Sequence, residues 1–444
     1  MTISYKLAEK IFEGFSILRW NDKLRPVEFI EIDKHALKAM LTYFIGKSAE
    51  KEDNISINWS HIVDMNVLDL MNKISTSDIQ ASMRKLLKEE PKFKNLIKKD
   101  WTKQSLNLCE EMKIKIDAYI EGPDEESPEY KILRFSNKYI THREYKIIEK
   151  FKIDGVHKDL EDIGENIDND LEKVSESTNL TKKLTTERKN VNSNFWLLSI
   201  LGFLEKLRYQ SRWAKTPRIP QTSVLGHSMY CAMIAYFISL EAGLNSDRIV
   251  NNFYAALFHD IPEALSGDII SPIKEDADEI KALISKEERK LCDEHIFSKI
   301  PDKWIEDFRF ITGQILKPGE NEIHKNQLDV SDFDYKEQNK TYEEIGGEFT
   351  NRIFVDGVYT IIPRGKNEKD DIEFMGKYKE LNGVDGKLIR VCDGISAFME
   401  AIMSKQHGIF SAQLATGLAN IKTAHYNKYI YDSFVRDFFD LAPY

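Results

Sequence analysis

Apolar residues recur at three- to four-residue spacing through most of the chain, which is the pattern of helices that bury one face. The spacing predicts helices over Tyr5–Leu18, His35–Ile45, Phe195–Leu207, Ser228–Leu240 and Ile249–Phe258, with Leu388–Met403 fitting the same template less cleanly. Residues Phe253 to Phe258 are apolar nearly all round, as expected of a helix buried on every side. Residues 158–192 are rich in Glu, Asp, Asn, Lys, Ser and Thr and poor in large apolar side chains. They read as a solvated helix or a charged linker, and a domain boundary is expected there. Residues 317–386 break the helical pattern. Within GEFTNRIFVDGVYTIIPRG, β-branched and aromatic residues flank Asp356-Gly357, a hairpin signal, so a small β-containing insertion is expected about there.

Length changes this picture first. At 444 residues the chain exceeds one ordinary domain. Its 42% hydrophobic and 31% charged residues are those of a globular protein. The net charge of −10 argues against a broad basic face that coats nucleic acid, while a local basic pocket stays compatible. The longest apolar stretch, near Phe195 to Leu204, is too short to span a bilayer, and the first residues lack a signal-peptide core; a cytoplasmic protein with no membrane partner is the expectation. Cys109, Cys231, Cys292 and Cys392 are scattered without a CxxC pair, so buried thiols are expected rather than disulfides or a cysteine-rich zinc site.

Two stretches of the chain match each other. IFEGFSILRWNDKLRPVEFIEIDKHALKAMLTYFIGK, from Ile11, lies against FLEKLRYQSRWAKTPRIPQTSVLGHSMYCAMIAYFISL, from Phe203. Arg19-Trp20 meets Arg212-Trp213, and His35 meets His227 with a one-residue gap. Further on, Asp78 pairs with Asp268 and Asn137 with Asp393, in the same order. This points to a duplicated domain. The copies differ where it matters chemically: His259, Asp260 and Glu263 of the second stand opposite Asp69, Leu70 and Lys73 of the first. Leucine cannot ligate a metal and lysine repels one, so the first copy is expected to be degenerate.

The strongest chemical signal is His259-Asp260 at the end of an apolar helix, followed by Glu263 and Asp268. Desolvating a carboxylate is costly unless it is paired or bound to a cation. A divalent metal supplies that compensation, and imidazole with carboxylate suits Mn, Fe, Co, Ni, Zn or, less well, Mg. His227 and Asp393 are the distant candidate ligands. Two histidines and two carboxylates would leave positions for water and a phosphate oxygen.

The order His227, His259-Asp260, Asp393 resembles that of the HD-domain metal-dependent phosphohydrolases. The segments SRW, GHS, HDIPEALSGDI and CDGISAF look most like bacterial 5′-deoxynucleotidases. The resemblance covers about residues 195–300 and 386–405. It implies that His227, His259, Asp260 and Asp393 hold the metal, and that Glu263 orients or deprotonates the attacking water. It implies that Arg212 contacts the phosphate, Trp213 borders sugar and base, Asp268 reads a sugar hydroxyl and Lys274 offers a weaker phosphate contact. The chain departs from those proteins in its greater length, in Pro262 between Asp260 and Glu263, and in the insertion before Asp393. Blander readings stand beside these roles: a cation packed on a ring for Arg212 and Trp213, and capping for Asp393, Glu263 and Asp268.

The expected fold is therefore mainly α. Residues 1–157 form a degenerate HD-like domain, 158–192 a charged linker, and 193–444 a catalytic HD domain with the insertion at about 317–386. The expected chemistry is removal of the 5′-phosphate from a (deoxy)nucleoside monophosphate. Other HD chemistries, on a cyclic nucleotide, a dNTP or nucleic acid, and a nucleotide-sensing protein without turnover, are the competing readings. A homo-oligomer is compatible, and pairing of the two halves is able to replace a homodimer interface.

Overall fold

Every long stretch with helical apolar spacing forms a helix in the computed structural model, and the protein is mainly α, with only short strands among the described residues. Those residues are 3–77, 79, 81–87, 89–153, 159–190, 193–267, 278–314, 349–355, 358–361, 380–431 and 433–442. Two compact units emerge, one of Lys10–Gln210 with Ser223–Met229, the other of Met1–Glu9, Ser211–Thr222 and Tyr230–Tyr444.

The first unit is built around helix Glu31–Lys51, which is buried along nearly its whole length. Helices Trp59–Ser75 and Pro128–Glu149 pack against it. Their starts are fixed locally. Asn58 accepts from the His61 amide, and Ser127 accepts from the Tyr130 amide just before Pro128. The expected helix Tyr5–Leu18 is shorter: it runs Tyr5–Phe12, tightens into a 3-10 turn at Glu13–Ser16, and gives way to Leu18–Arg19, which pairs antiparallel with Phe29–Ile30.

Residues 158–192, expected as a solvated helix or a charged linker, take the helical form. They contain helices Leu160–Val174 and Asn179–Glu187, packed within the first unit. Leu160 and Ile167 join Phe29, Tyr145 and Ile148 in one apolar cluster. At Gly164 an added Cβ would lie 2.2 Å from the Tyr145 hydroxyl, so the two helices approach too closely for a side chain there. Charge density in this segment concealed a regular apolar stripe.

In the second unit, helix Ser246–Phe258 starts at an Asn245 cap and packs against Gly386–Gln406 and Ile305–Thr312. A buried Arg248–Asp385 pair, with Asn252 and Tyr431 also donating to Asp385, ties the start of Gly386–Gln406 in place. The expected hairpin is present as Arg352–Val355 against Val358–Ile361, with Val355 opposite Val358; a third short strand, Gly383–Val384, pairs on the other side. Asp356 and Gly357, and most of 317–386, lie outside the described residues. Helix Val224–Glu241 is the one described helix long and apolar enough to cross a membrane, and 94% of that window is buried inside the protein.

Candidate functional site

His259 ends its helix rather than continuing it. Helix Ser246–Phe258 is apolar on the faces that pack, and its last turn brings the His259 ring back against the Ala256 carbonyl, 2.7 Å from Nδ1. A carbonyl only accepts, so Nδ1 donates to it, and the ring turns Nε2 toward Asp260. An imidazole whose Nδ1 is held by a backbone carbonyl is oriented to ligate a metal through Nε2. Nε2 lies 3.2 Å from Asp260 Oδ1.

Helix Val224–Glu241 carries His227 and, one turn on, Cys231, both buried. The ligand atoms of His227, Cys231 and His259 lie within 4.8 Å of one another. The donor set of two imidazoles with a thiol, and Asp260 adjoining His259, suits a divalent transition metal. Cys231 was not expected at this site. Within an apolar run a cysteine reads as a core residue, and only its spacing from His227 (i, i+4, one helix face) could have marked it.

Arg212 gathers the carboxylates. Its NH1 lies 3.8 Å from Asp260 Oδ2, its NH2 3.6 Å from Asp393 Oδ1, and its Nε 3.3 Å from Glu400 Oε1. Burial works against the guanidinium charge, but Glu400, Asp393, Asp260 and Glu263 together outweigh it and hold the pKa well above the usual value. Glu263 sits in the short helix Glu263–Ser266, largely buried, with Pro262 preceding it in helical conformation.

Trp213 adopts φ +54°, a left-handed conformation costly for a bulky side chain. Its indole Nε1 donates to Glu400 Oε2 at 2.8 Å, and Arg218 lies over the ring. Glu400, fully buried, thus holds both Arg212 and Trp213. Sequence reasoning missed Glu400 too. The signal was a lone carboxylate in the apolar run FMEAIM, at the same offset from Asp393 as Glu144 is from Asn137.

Of the residues singled out in the sequence, the structure therefore brings together His227 with His259, His259 with Asp260, and Arg212 with Asp260, Asp393 and Glu263. Trp213 lies beside Arg212. Asp268 and Lys274 lie outside the described residues.

Residues 204–422 match the family model described as HD domain. Among curated proteins the chain is similar to a 5′-deoxynucleotidase of Vibrio vulnificus, 29% identical over 133 residues that are 28% of this chain and 64% of that protein. A 5′-deoxynucleotidase of Pectobacterium atrosepticum is 28% identical over 133 residues, 29% of this chain and 65% of that protein. One of Shewanella oneidensis is 26% identical over 113 residues, 25% of this chain and 57% of that protein. The chain thus spans less than two thirds of the length of these relatives. No solved structure matches it.

Proposed function

With residues 204–422 matching the HD domain, we propose that this chain is a metal-dependent phosphohydrolase that removes the 5′-phosphate of a (deoxy)nucleoside monophosphate. The observation that carries the reading is Asp260, which meets the His259 imidazole and the Arg212 guanidinium, with Asp393 on the same guanidinium. His227, His259, Asp260 and Asp393 would hold the divalent ion, with the Cys231 thiol close enough to join them. When bound, that ion supplies Lewis acidity toward the phosphoryl oxygens and acidifies water.

The chain's own groups do the rest. Arg212 offers a planar, permanently charged fork to paired phosphate oxygens, and Glu400 fixes the direction of that fork. Glu263 takes a proton from the attacking water as its oxygen bonds to phosphorus. The P–O5′ bond then breaks, the nucleoside oxygen collects a proton, and inorganic phosphate leaves. Trp213, locked by Glu400, forms a flat apolar wall for sugar and base. Asp268 and Lys274 complete the proposed contacts, to a sugar hydroxyl and to phosphate.

Phosphate release from a panel of 5′-deoxynucleotides and ribonucleotides with Mn, Co or Mg tests this. Metal-dependent release that disappears in Asp260→Ala supports it. No release from any monophosphate, with dNTPs or cyclic dinucleotides cleaved instead, refutes the nucleotidase reading.

A further inference from the structure

The first unit carries a clamp like that of Arg212 and Trp213. Trp20 has φ +55° beside the +54° of Trp213. Its indole donates to Glu144 at 3.0 Å, and Arg19 Nε donates to the same carboxylate at 2.9 Å. Lys38, fully buried, pairs with Asp69, the residue opposite His259 in the repeat. A buried ammonium repels a divalent cation, so a metal has no place beside Asp69. What this half does hold is the start of the helix that carries His227. Ser223–Met229, which opens helix Val224–Glu241, belongs to the same compact unit as Lys10–Gln210.

Ser223 stands immediately before that helix. Its hydroxyl accepts from the Gly226 amide at 2.8 Å, and its carbonyl accepts from the His227 amide at 3.0 Å. A helix start often completes this arrangement with a Glu or Gln three residues after the capping serine, its side chain reaching back to the cap. Here that position is Gly226, which has no side chain. The carboxylate comes from Asp33 instead. Ser223 Oγ donates to Asp33 Oδ1 at 2.7 Å, and a Cβ added at Gly226 would lie 2.6 Å from the same oxygen. Phe15 at 2.7 Å and Ile32 at 3.1 Å crowd the same point. The glycine thus lets the helix bed directly on the first unit, with Asp33 where the missing carboxylate would be.

The whole contact is buried: Asp33, Ser223 and His227 are 1%, 6% and 0% exposed. Asp33 itself lies in the first turn of helix Glu31–Lys51. One carboxylate therefore serves the positive ends of two helices, where a negative charge is favoured. Burial raises its carboxyl to about 6, with Arg208 and then the Ser223 hydroxyl working against the rise, so it is ionised at neutral pH. A helix turns by about 100° per residue. Fixing Ser223 and Gly226 fixes the direction in which His227, the next residue, leaves the axis. A rotation by a fraction of that angle would carry the imidazole away from Cys231 and His259, whose ligand atoms lie within 4.8 Å of its own.

We propose that Asp33 is a positioning residue for the metal site: through it the first unit supplies the carboxylate that sets the rotation of helix Val224–Glu241 and thereby the aim of His227. The inference rests on the reading, made above, that His227 holds the ion; the contact of Asp33 with the helix start stands without it.

Titration of the metal-free full chain with Co(II), followed by visible absorption and by calorimetry, tests this. Asp33→Ala and Ser223→Ala should weaken Co(II) binding about tenfold to a hundredfold. Asp33→Asn, which keeps an oxygen for the Ser223 hydroxyl, should recover most of the loss. Gly164→Ala, which crowds Tyr145 elsewhere in the first unit, is the control: it should lower the melting temperature and leave Co(II) binding and spectrum unchanged. Near-ultraviolet circular dichroism confirms that each variant is folded, and Ser223→Ala decides if Asp33→Ala is not. Co(II) binding as tight as the parent's in these two variants, or weakened equally by Gly164→Ala, overturns the positioning role. His227→Ala separates the two readings. If it too binds Co(II) as the parent does, the metal site as proposed fails and takes the Asp33 inference with it. A loss in His227→Ala beside none in Asp33→Ala or Ser223→Ala sinks the Asp33 inference alone.

Discussion

Replacing Glu400 by glutamine removes one charge while keeping the shape and an oxygen for Trp213. In the protein, Glu400 is fully buried, 2.8 Å from the Trp213 indole nitrogen and 3.3 Å from Arg212 Nε. At an effective dielectric of about 20, a pair at that separation attracts by about 5 kcal/mol. Breaking a buried pair by deleting one partner costs about 3–5 kcal/mol net. Arg212 keeps Asp393 at 3.6 Å and Asp260 at 3.8 Å, which soften the loss, so about 2–3 kcal/mol remains. For a unit of this size, each kcal/mol moves the melting temperature by about 2–4 °C, and scanning calorimetry on Glu400→Gln should find a fall of about 4–12 °C. The same change at Glu144, which accepts from Arg19, Trp20 and Arg208, should cost at least as much. A purely structural role would lower the melting temperature alone. Positioning of Arg212 should also raise KM for the nucleotide in Glu400→Gln and not in Glu144→Gln. A shift below about 1 °C with unchanged KM refutes the clamp.

At Gly417 an added Cβ would lie 2.5 Å from the Trp213 ring, so Gly417→Ala should cost about 1–3 kcal/mol by forcing the indole off Glu400. Gly202, with nothing within 4 Å of its Cβ position inside helix Trp196–Tyr209, is the control: alanine there should stabilise by about 0.5–1 kcal/mol in denaturant unfolding, and a loss would contradict the packing. If the Cys231 sulfur joins His227 and His259 on the ion, Co(II) loading should give a near-ultraviolet thiolate charge-transfer band that Cys231→Ala lacks; a band unchanged by the substitution removes Cys231 from the site. Burial lowers Lys34 from 10.5 to about 7, so the unfolded chain binds more protons across that window and stability should rise as pH climbs from about 7 toward 10.5. Lys34→Met should flatten the rise in urea midpoints between pH 7 and pH 9, and an equally steep rise in the variant would place the effect elsewhere.

The helices were legible because each buries a stripe or a whole surface, and burial writes a 3.6-residue period into the chain. Segment 158–192 shows where that reading fails. Leu160, Ile163, Ile167, Leu171 and Val174 keep the period, yet the intervening Glu and Asp residues dominate any average over the segment. The chemistry was legible only where polar residues stand together, as in His259-Asp260. Isolated ones inside apolar runs were not singled out: Cys231 was read only as a buried thiol, and Glu400, Lys34 and Lys38 were not read at all. Physically the ranking should be reversed. A charged group within a helix buried on all sides has no water to fall back on, so its partner must be supplied by the fold. Glu400 finds Arg212 and Trp213, and Lys38 finds Asp69. A lone charge in an apolar run therefore points to a partner that the fold supplies.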